Sequence, residues 1–203
     1  MTDESGESLV KLITGQANLK TLDLTNNRLG CKTAKELANY FKSSSLTKGH
    51  LQVFNFSLNS LRDKGCASLC EALSSNTTLH TLDISSNFLS KSCKDSLKLM
   101  ISKSPGLKNL NISCNPLGVD GGIKILEGIR SNPKIMRVDI RLTGCSRDTD
   151  LAIQEALKKN RYASGKRAPS LSTTSRNSSP SGSTTQPPTT PCMSTKKYPF
   201  PKI

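Results

Sequence analysis

The sequence contains no tryptophan, only 4% aromatic residues and two histidines among 203 positions. Base-stacking platforms for nucleic acid are therefore missing, and no basic patch is interleaved with aromatic residues. Acid–base chemistry built on histidine has little to work with: His50 lies in a polar stretch, and His80 stands beside Thr81 with no base or ligand partner nearby. No apolar run is long enough to cross a bilayer, which argues against a membrane-spanning helix. The first residues are acidic and polar, unlike a secretory signal, which points to the cytoplasm. No Cys-x-x-Cys pair occurs among Cys31, Cys66, Cys70, Cys93, Cys114, Cys145 and Cys192, so reduced thiols and no metal site are expected. No Gly-rich phosphate loop is present either. The residues offer no catalytic set, no cofactor site and no metal set, so an enzyme is not expected.

What the chain does have is repetition. Leu79, Leu82, Ile84, Asn87 and Leu89 form a pattern that returns 28 residues later as Leu107, Leu110, Ile112, Asn115 and Leu117. The same pattern stands 28 residues earlier, from Leu51 to Leu61, and again from Leu19 to Leu29 after a longer gap of 32. A degenerate fifth copy begins at Ile135. Self-similarity at this period marks a solenoid, in which each unit buries its apolar face only against its neighbours. Within each unit a short strand alternates inward and outward residues, so Leu82 and Ile84 face the core. Helical spacing follows, predicting helices near 5–15, 32–43, 63–75, 91–103, 119–131 and 148–160. Their inner stripes are read as Leu9, Leu12 and Ile13 in the first, Ile123, Leu126 and Ile129 in the fifth, and Leu151, Ile153 and Leu157 in the last. The expected architecture is α/β: a curved parallel sheet inside and helices outside, about five strands and six helices over residues 1–162. It starts in the middle of a repeat and leaves an open N-terminal edge. The longer gap comes from a polar expansion over residues 43–50.

Residues 163–203 change character. They are rich in Ser, Thr and Pro and carry no Asp or Glu. Such a segment cannot offset its ordering entropy, and a disordered basic tail is expected. Six of the fourteen net positive charges lie there, which leaves eight on residues 1–162.

Asn27, Asn59, Asn87 and Asn115 occupy one column. An amide both donates and accepts, so these four are read as a structural ladder that satisfies turn backbone. Thr143 replaces asparagine in the fifth copy, where the ladder should end. A second column, Asp23, Asn55, Asp83, Asn111 and Asp139, is read mainly as local structure. The last strand differs from the others in placing Arg137 and Arg141 on either side of Asp139. With Asn109, Asn111 and Asp83, these are the candidate partner-binding residues, because arginine's planar fork suits carboxylates and phosphates.

The pattern L-x-x-L-x-L-x-x-N-x-L with a 28-residue period resembles the leucine-rich repeat of ribonuclease-inhibitor type. The resemblance implies a non-enzymatic protein-interaction scaffold, with a protein partner on the concave face or at the open N-terminal edge. Its basic charge separates it from ribonuclease inhibitor and from the acidic Ran GTPase-activating proteins. Nod-like receptors carry such repeats after a nucleotide-binding domain that these residues do not include. The closing segment from Val138 to Arg161 resembles the last repeat of the leucine-rich subunit of the axonemal dynein regulatory complex. That likeness implies a structural subunit of a cilium or flagellum. The family's other members imply two alternatives: regulation of a Ran-like small GTPase, and a cytosolic immune or ubiquitin-pathway adaptor.

Overall fold

The computed structural model describes residues 1–16, 18–44 and 51–165. Five three-residue strands, β1 (Thr21–Asp23), β2 (Val53–Asn55), β3 (Thr81–Asp83), β4 (Asn109–Asn111) and β5 (Arg137–Asp139), form one parallel sheet in sequence order. The register keeps equivalent residues side by side: Leu22 pairs with Phe54, then Leu82, Leu110 and Val138. A helix precedes the first strand and one follows each strand: α1 (Gly6–Thr14), α2 (Cys31–Ser44), α3 (Arg62–Leu73), α4 (Lys94–Lys103), α5 (Gly118–Ser131) and α6 (Arg147–Ala163). Single 3₁₀ turns at Asp3–Ser5 and Lys91–Cys93 lead into α1 and α4. The parallel sheet follows from the repeat, because each helix returns the chain to the same end of the next strand. Residues 45–50 of the polar expansion predicted over 43–50, with His50, the tail after residue 165, and Cys192 lie outside the described residues.

Each repeat sends its strand leucine and isoleucine into one continuous core. Leu82, Ile84, Leu89 and Leu97 are fully buried, and their equivalents in the next repeat are alike. Each such side chain contributes about 1.5–3 kcal/mol. Phe41, Phe54 and Phe56 add an aromatic knot, with ring centroids 5.5 and 5.8 Å apart. Leu19 and Leu22 are only half covered, since among the described residues no strand pairs with the other side of β1.

Three residues placed on inner helical faces are exposed instead: Leu12 at 65%, Ile123 at 43% and Leu151 at 60%. The core face of α5 is Gly121, Gly122, Ile125, Gly128 and Ile129. A Cβ on Gly128 would sit 3.0 Å from the Ile101 side chain. The helices approach so closely here that glycine, not a large apolar residue, faces the neighbour. A stripe read from large residues alone is rotated away from the true contact. Leu126 is half-buried and Ile129 fully buried, while α6 turns Ile153, Ala156 and Leu157 inward.

The loops from strand to helix carry a column of left-handed residues: Asn26, Leu58, Ser86, Cys114 and Leu142, with φ between 53° and 57°. Only Asn26 is a residue type that adopts this conformation at low cost.

Candidate functional site

The asparagine column lies just after these left-handed residues. Asn115 Nδ2 donates to the carbonyls of Ile84, Ile112 and Ser113, and its Oδ1 accepts the N–H groups of Asn87 and Leu89. Asn87 and Asn59 repeat this scheme one and two units earlier. Asn27 donates to Leu24 and Thr25 carbonyls, while its Oδ1 accepts from the Met1 amino group at 2.7 Å. That group takes the place that the N–H of Leu29, Leu61 or Leu89 holds in later rungs. Thr143 has no amide to offer. Its hydroxyl donates to the Ile140 carbonyl, and the Leu117 N–H turns to the Asn115 carbonyl instead.

A second ladder runs along the other end of the strands and was not read from the sequence. Asn76, Ser104, Asn132 and Asn160 recur every 28 residues at the helix-to-strand turn. Asn132 Nδ2 donates to the Ile101 and Ser104 carbonyls, and Asn160 Nδ2 to those of Asn132 and Ile135. Asn76 Oδ1 and Ser104 Oγ accept the N–H groups that open the next strand. The 28-residue spacing was the available signal, but a serine in the second rung breaks the pattern by eye.

The outward column of the sheet is occupied by its own neighbours. Each of Asp23, Asn55, Asp83, Asn111 and Asp139 accepts, through Oδ1, the N–H of the residue two positions on. Asn111 Nδ2 also donates to Asp83 Oδ2 at 2.8 Å, and Asn109 Nδ2 to Thr81 Oγ1. Carboxylate and amide thus alternate from strand to strand, and at Asn111 the amide supplies the donor that Asp83 lacks.

The last strand departs from this. Arg141 folds back on Asp139, with Nε 3.0 Å from Oδ1 and Nη2 2.6 Å from Oδ2, leaving its side chain 61% exposed. Arg137 stands beside Asn109, exposed, and its side chain makes no hydrogen bond or ion pair among the described residues. The six candidate residues therefore share one face: Asn109 and Arg137 in one row, Asp83, Asn111 and Asp139 in the next, with Arg141 joined to Asp139. Lysines on the helical side are instead paired across repeats, Lys42 with Glu71, Lys94 with Asp120, and Lys98 with Glu127. Exposed pairs of this kind add little stability.

No group of three or more His, Cys, Asp or Glu able to hold a metal occurs among the described residues. Cys66 and Cys70 stack 3.7 Å apart in the core, and Cys93 Sγ donates to the Ser90 carbonyl. The neighbouring thiol and burial push the Cys93 thiol far above its ordinary value, and the Cys70 contact together with burial raises Cys66. A thiol must ionise to react. Among the six described thiols, the partly exposed Cys31, Cys114 and Cys145 should react with a disulfide reagent at pH 8 within minutes. Cys66, Cys70 and Cys93 should react only on unfolding. Mass-spectrometric mapping of the labelled sites checks the order.

Comparison with known proteins agrees with the repeat. A family described as "Leucine Rich repeat" matches residues 49–70, 75–90 and 103–126, and one described as "Leucine Rich Repeat" matches 18–40. Human "NACHT, LRR and PYD domains-containing protein 5" is 28% identical over 87% of this chain, and mouse "NACHT, LRR and PYD domains-containing protein 14" is 33% identical over 63%. Arabidopsis "RAN GTPase-activating protein 2" is 22% identical over 67% of the chain. The chain spans 16%, 12% and 25% of these relatives' lengths. Lacking a nucleotide-binding domain in these 203 residues does not, therefore, set it apart from NACHT-containing proteins. Among solved structures, the leiomodin-1 actin-binding site 2 superposes with a TM-score of 0.68 over 80% of this chain and 91% of its own, at 11% identity. The Caenorhabditis elegans tropomodulin C-terminal domain gives 0.64 over 79% and 95%, at 19% identity. At these identities the likeness is one of fold.

Proposed function

Since this is a leucine-rich-repeat protein, we propose that it is a non-catalytic scaffold that holds another protein against the last two strands of its sheet. Arg137 carries this reading. It is an exposed arginine without a partner among the described residues, beside Asn109 and Asn111, whose amides already donate to Thr81 and Asp83. Next to it the Arg141–Asp139 pair holds a second guanidinium in a fixed position. A carboxylate brought to this corner would meet a bidentate donor at Arg137 and lose little side-chain entropy at Arg141.

Replacing Arg137 with Ala should weaken capture of the bound partner about tenfold, or ~1.4 kcal/mol, with the melting temperature unchanged. Affinity capture from ciliated cells, followed by mass spectrometry, identifies the partner. Calorimetry with that purified partner then measures the loss. Equal affinity for the wild type and the Arg137→Ala variant would move the site elsewhere.

The finer reading places the scaffold in the axoneme of a cilium or flagellum and rests on the closing segment from Val138 to Arg161. It requires co-fractionation with axonemes and recovery of dynein-associated proteins in that capture. A second reading is favoured by the likeness to "RAN GTPase-activating protein 2": regulation of a Ran-like GTPase. It requires faster GTP hydrolysis by such a GTPase at saturating chain. A cytosolic immune adaptor, in line with the NACHT-containing relatives, would recover that machinery instead.

A further inference from the structure

The loops between strand and helix bear large apolar side chains that the core does not use. Leu58 is 44% exposed, Phe88 69% and Leu142 72%, and Pro116 is exposed between them. They lie on four successive repeats, because Leu58 and Leu142 precede the ladder column while Phe88 and Pro116 follow it. Three of them also hold left-handed backbone, with φ of 56° at Leu58, 58° at Phe88 and 57° at Leu142. Each such conformation costs a residue with a Cβ about 1–2 kcal/mol. Asn26 shows the kind of residue this turn accepts at little cost. Local folding accounts for neither the size of these side chains nor their exposure.

We infer that these four loops form a docking ridge for an acidic amphipathic helix of a partner protein. Neighbouring strands in a sheet lie about 4.8 Å apart, close to the ~5.4 Å advance of one helical turn. A helix laid along the ridge therefore presents one residue to each loop, at positions i, i+4, i+7 and i+11. The surroundings set the charge of that helix. Arg28 stands at one end, and Arg62 and Lys91 stand on the helical side, all exposed. Of the acids nearby, Asp120 is paired with Lys94 and Asp139 with Arg141, while Asp63 accepts hydrogen bonds from Ser90. The chain's own segment 163–203 carries six basic residues and no acid, so its composition does not supply the acidic helix. The inference rests on the protein-binding reading above but not on Arg137.

The test uses two synthetic 18-residue helical peptides with the same four-leucine stripe, one flanked by Glu and one by Lys. Each is titrated into the full chain carrying isotope-labelled methyl groups and phenylalanine rings. The Glu peptide should bind at least tenfold more tightly and shift the Leu58, Phe88 and Leu142 signals. The double variant Phe88→Asn, Leu142→Asn should lose that binding at least tenfold, with an unchanged or higher melting temperature, since asparagine suits the left-handed backbone. Lys91→Glu, at an exposed position, should narrow the preference for the Glu peptide. Equal affinity for both peptides, shifts centred on Ile123 and Leu151, or full binding by the double variant would each overturn the inference. Self-association that the double variant abolishes, without Glu-peptide binding, would assign the ridge to a second copy and likewise overturn it. Peptide binding at the ridge in a chain whose natural partner ignores Arg137→Ala would remove the sheet-face reading and leave this one standing.

Discussion

Asn115→Ala should cost the fold about 4 kcal/mol, enough to unfold much of the C-terminal half at 37 °C. The side chain is fully buried and meets five backbone groups: the carbonyls of Ile84, Ile112 and Ser113 and the N–H groups of Asn87 and Leu89. Each buried group left without a partner costs about 1–3 kcal/mol, and water entering the gap recovers part of the total. Asn27→Ala makes the matching control. That residue is half-buried at the open edge, and two of its three bonds are to carbonyls of its own turn. Its loss should stay within about 1 kcal/mol, because water can replace what the amide provided. Urea unfolding followed by circular dichroism separates the two. Equal midpoints would mean that the column is not what joins the repeats.

Gly106→Ala should cost about 3 kcal/mol for a different reason. A Cβ at this position would lie 2.6 Å from the Thr77 carbonyl oxygen, 2.7 Å from its carbon and 2.9 Å from the Leu79 oxygen. All three atoms are backbone, so no rotamer change relieves the contact, and one repeat must move away from the next. Gly122→Ala is the informative comparison. Its nearest atom is the Cys145 sulfur at 2.6 Å, the end of a side chain that can turn aside. The Gly106 variant should therefore melt well below the Gly122 variant in a thermal scan.

The contrast between these two glycines shows where sequence reading stops. The strand leucines repeat with a period of 28, and that alone predicts the parallel order and the register that pairs Leu82 with Leu110. Helix rotation is less legible. The α5 contact is made by Gly121, Gly122 and Gly128, and absence of a side chain leaves no hydrophobic signal, so Ile123 was drawn inward in error. Gly106 looks from sequence like a helix stop. Its tight contact with Thr77 depends on the preceding repeat and can be seen only in three dimensions. For the candidate site, the face was legible and its state was not. Arg137 and Arg141 read as twins on one strand, yet one is free and the other is held by Asp139, a difference set by which arginine lies two residues beyond the carboxylate.

The alternation of Asp23, Asn55, Asp83, Asn111 and Asp139 imposes a parity on the array. Carboxylates recur on every second strand, about 9.6 Å apart rather than 4.8 Å. Removing the 28 residues of one repeat, such as the unit containing Asn111, would set Asp83 directly beside Asp139 and take away the amide that now donates to Asp83. Two unit charges at 4.8 Å repel by about 1 kcal/mol even in water. Removing two consecutive repeats would leave the order intact. Growth or shortening of this solenoid is therefore least costly by two repeats at a time, because only an even step keeps carboxylate beside amide.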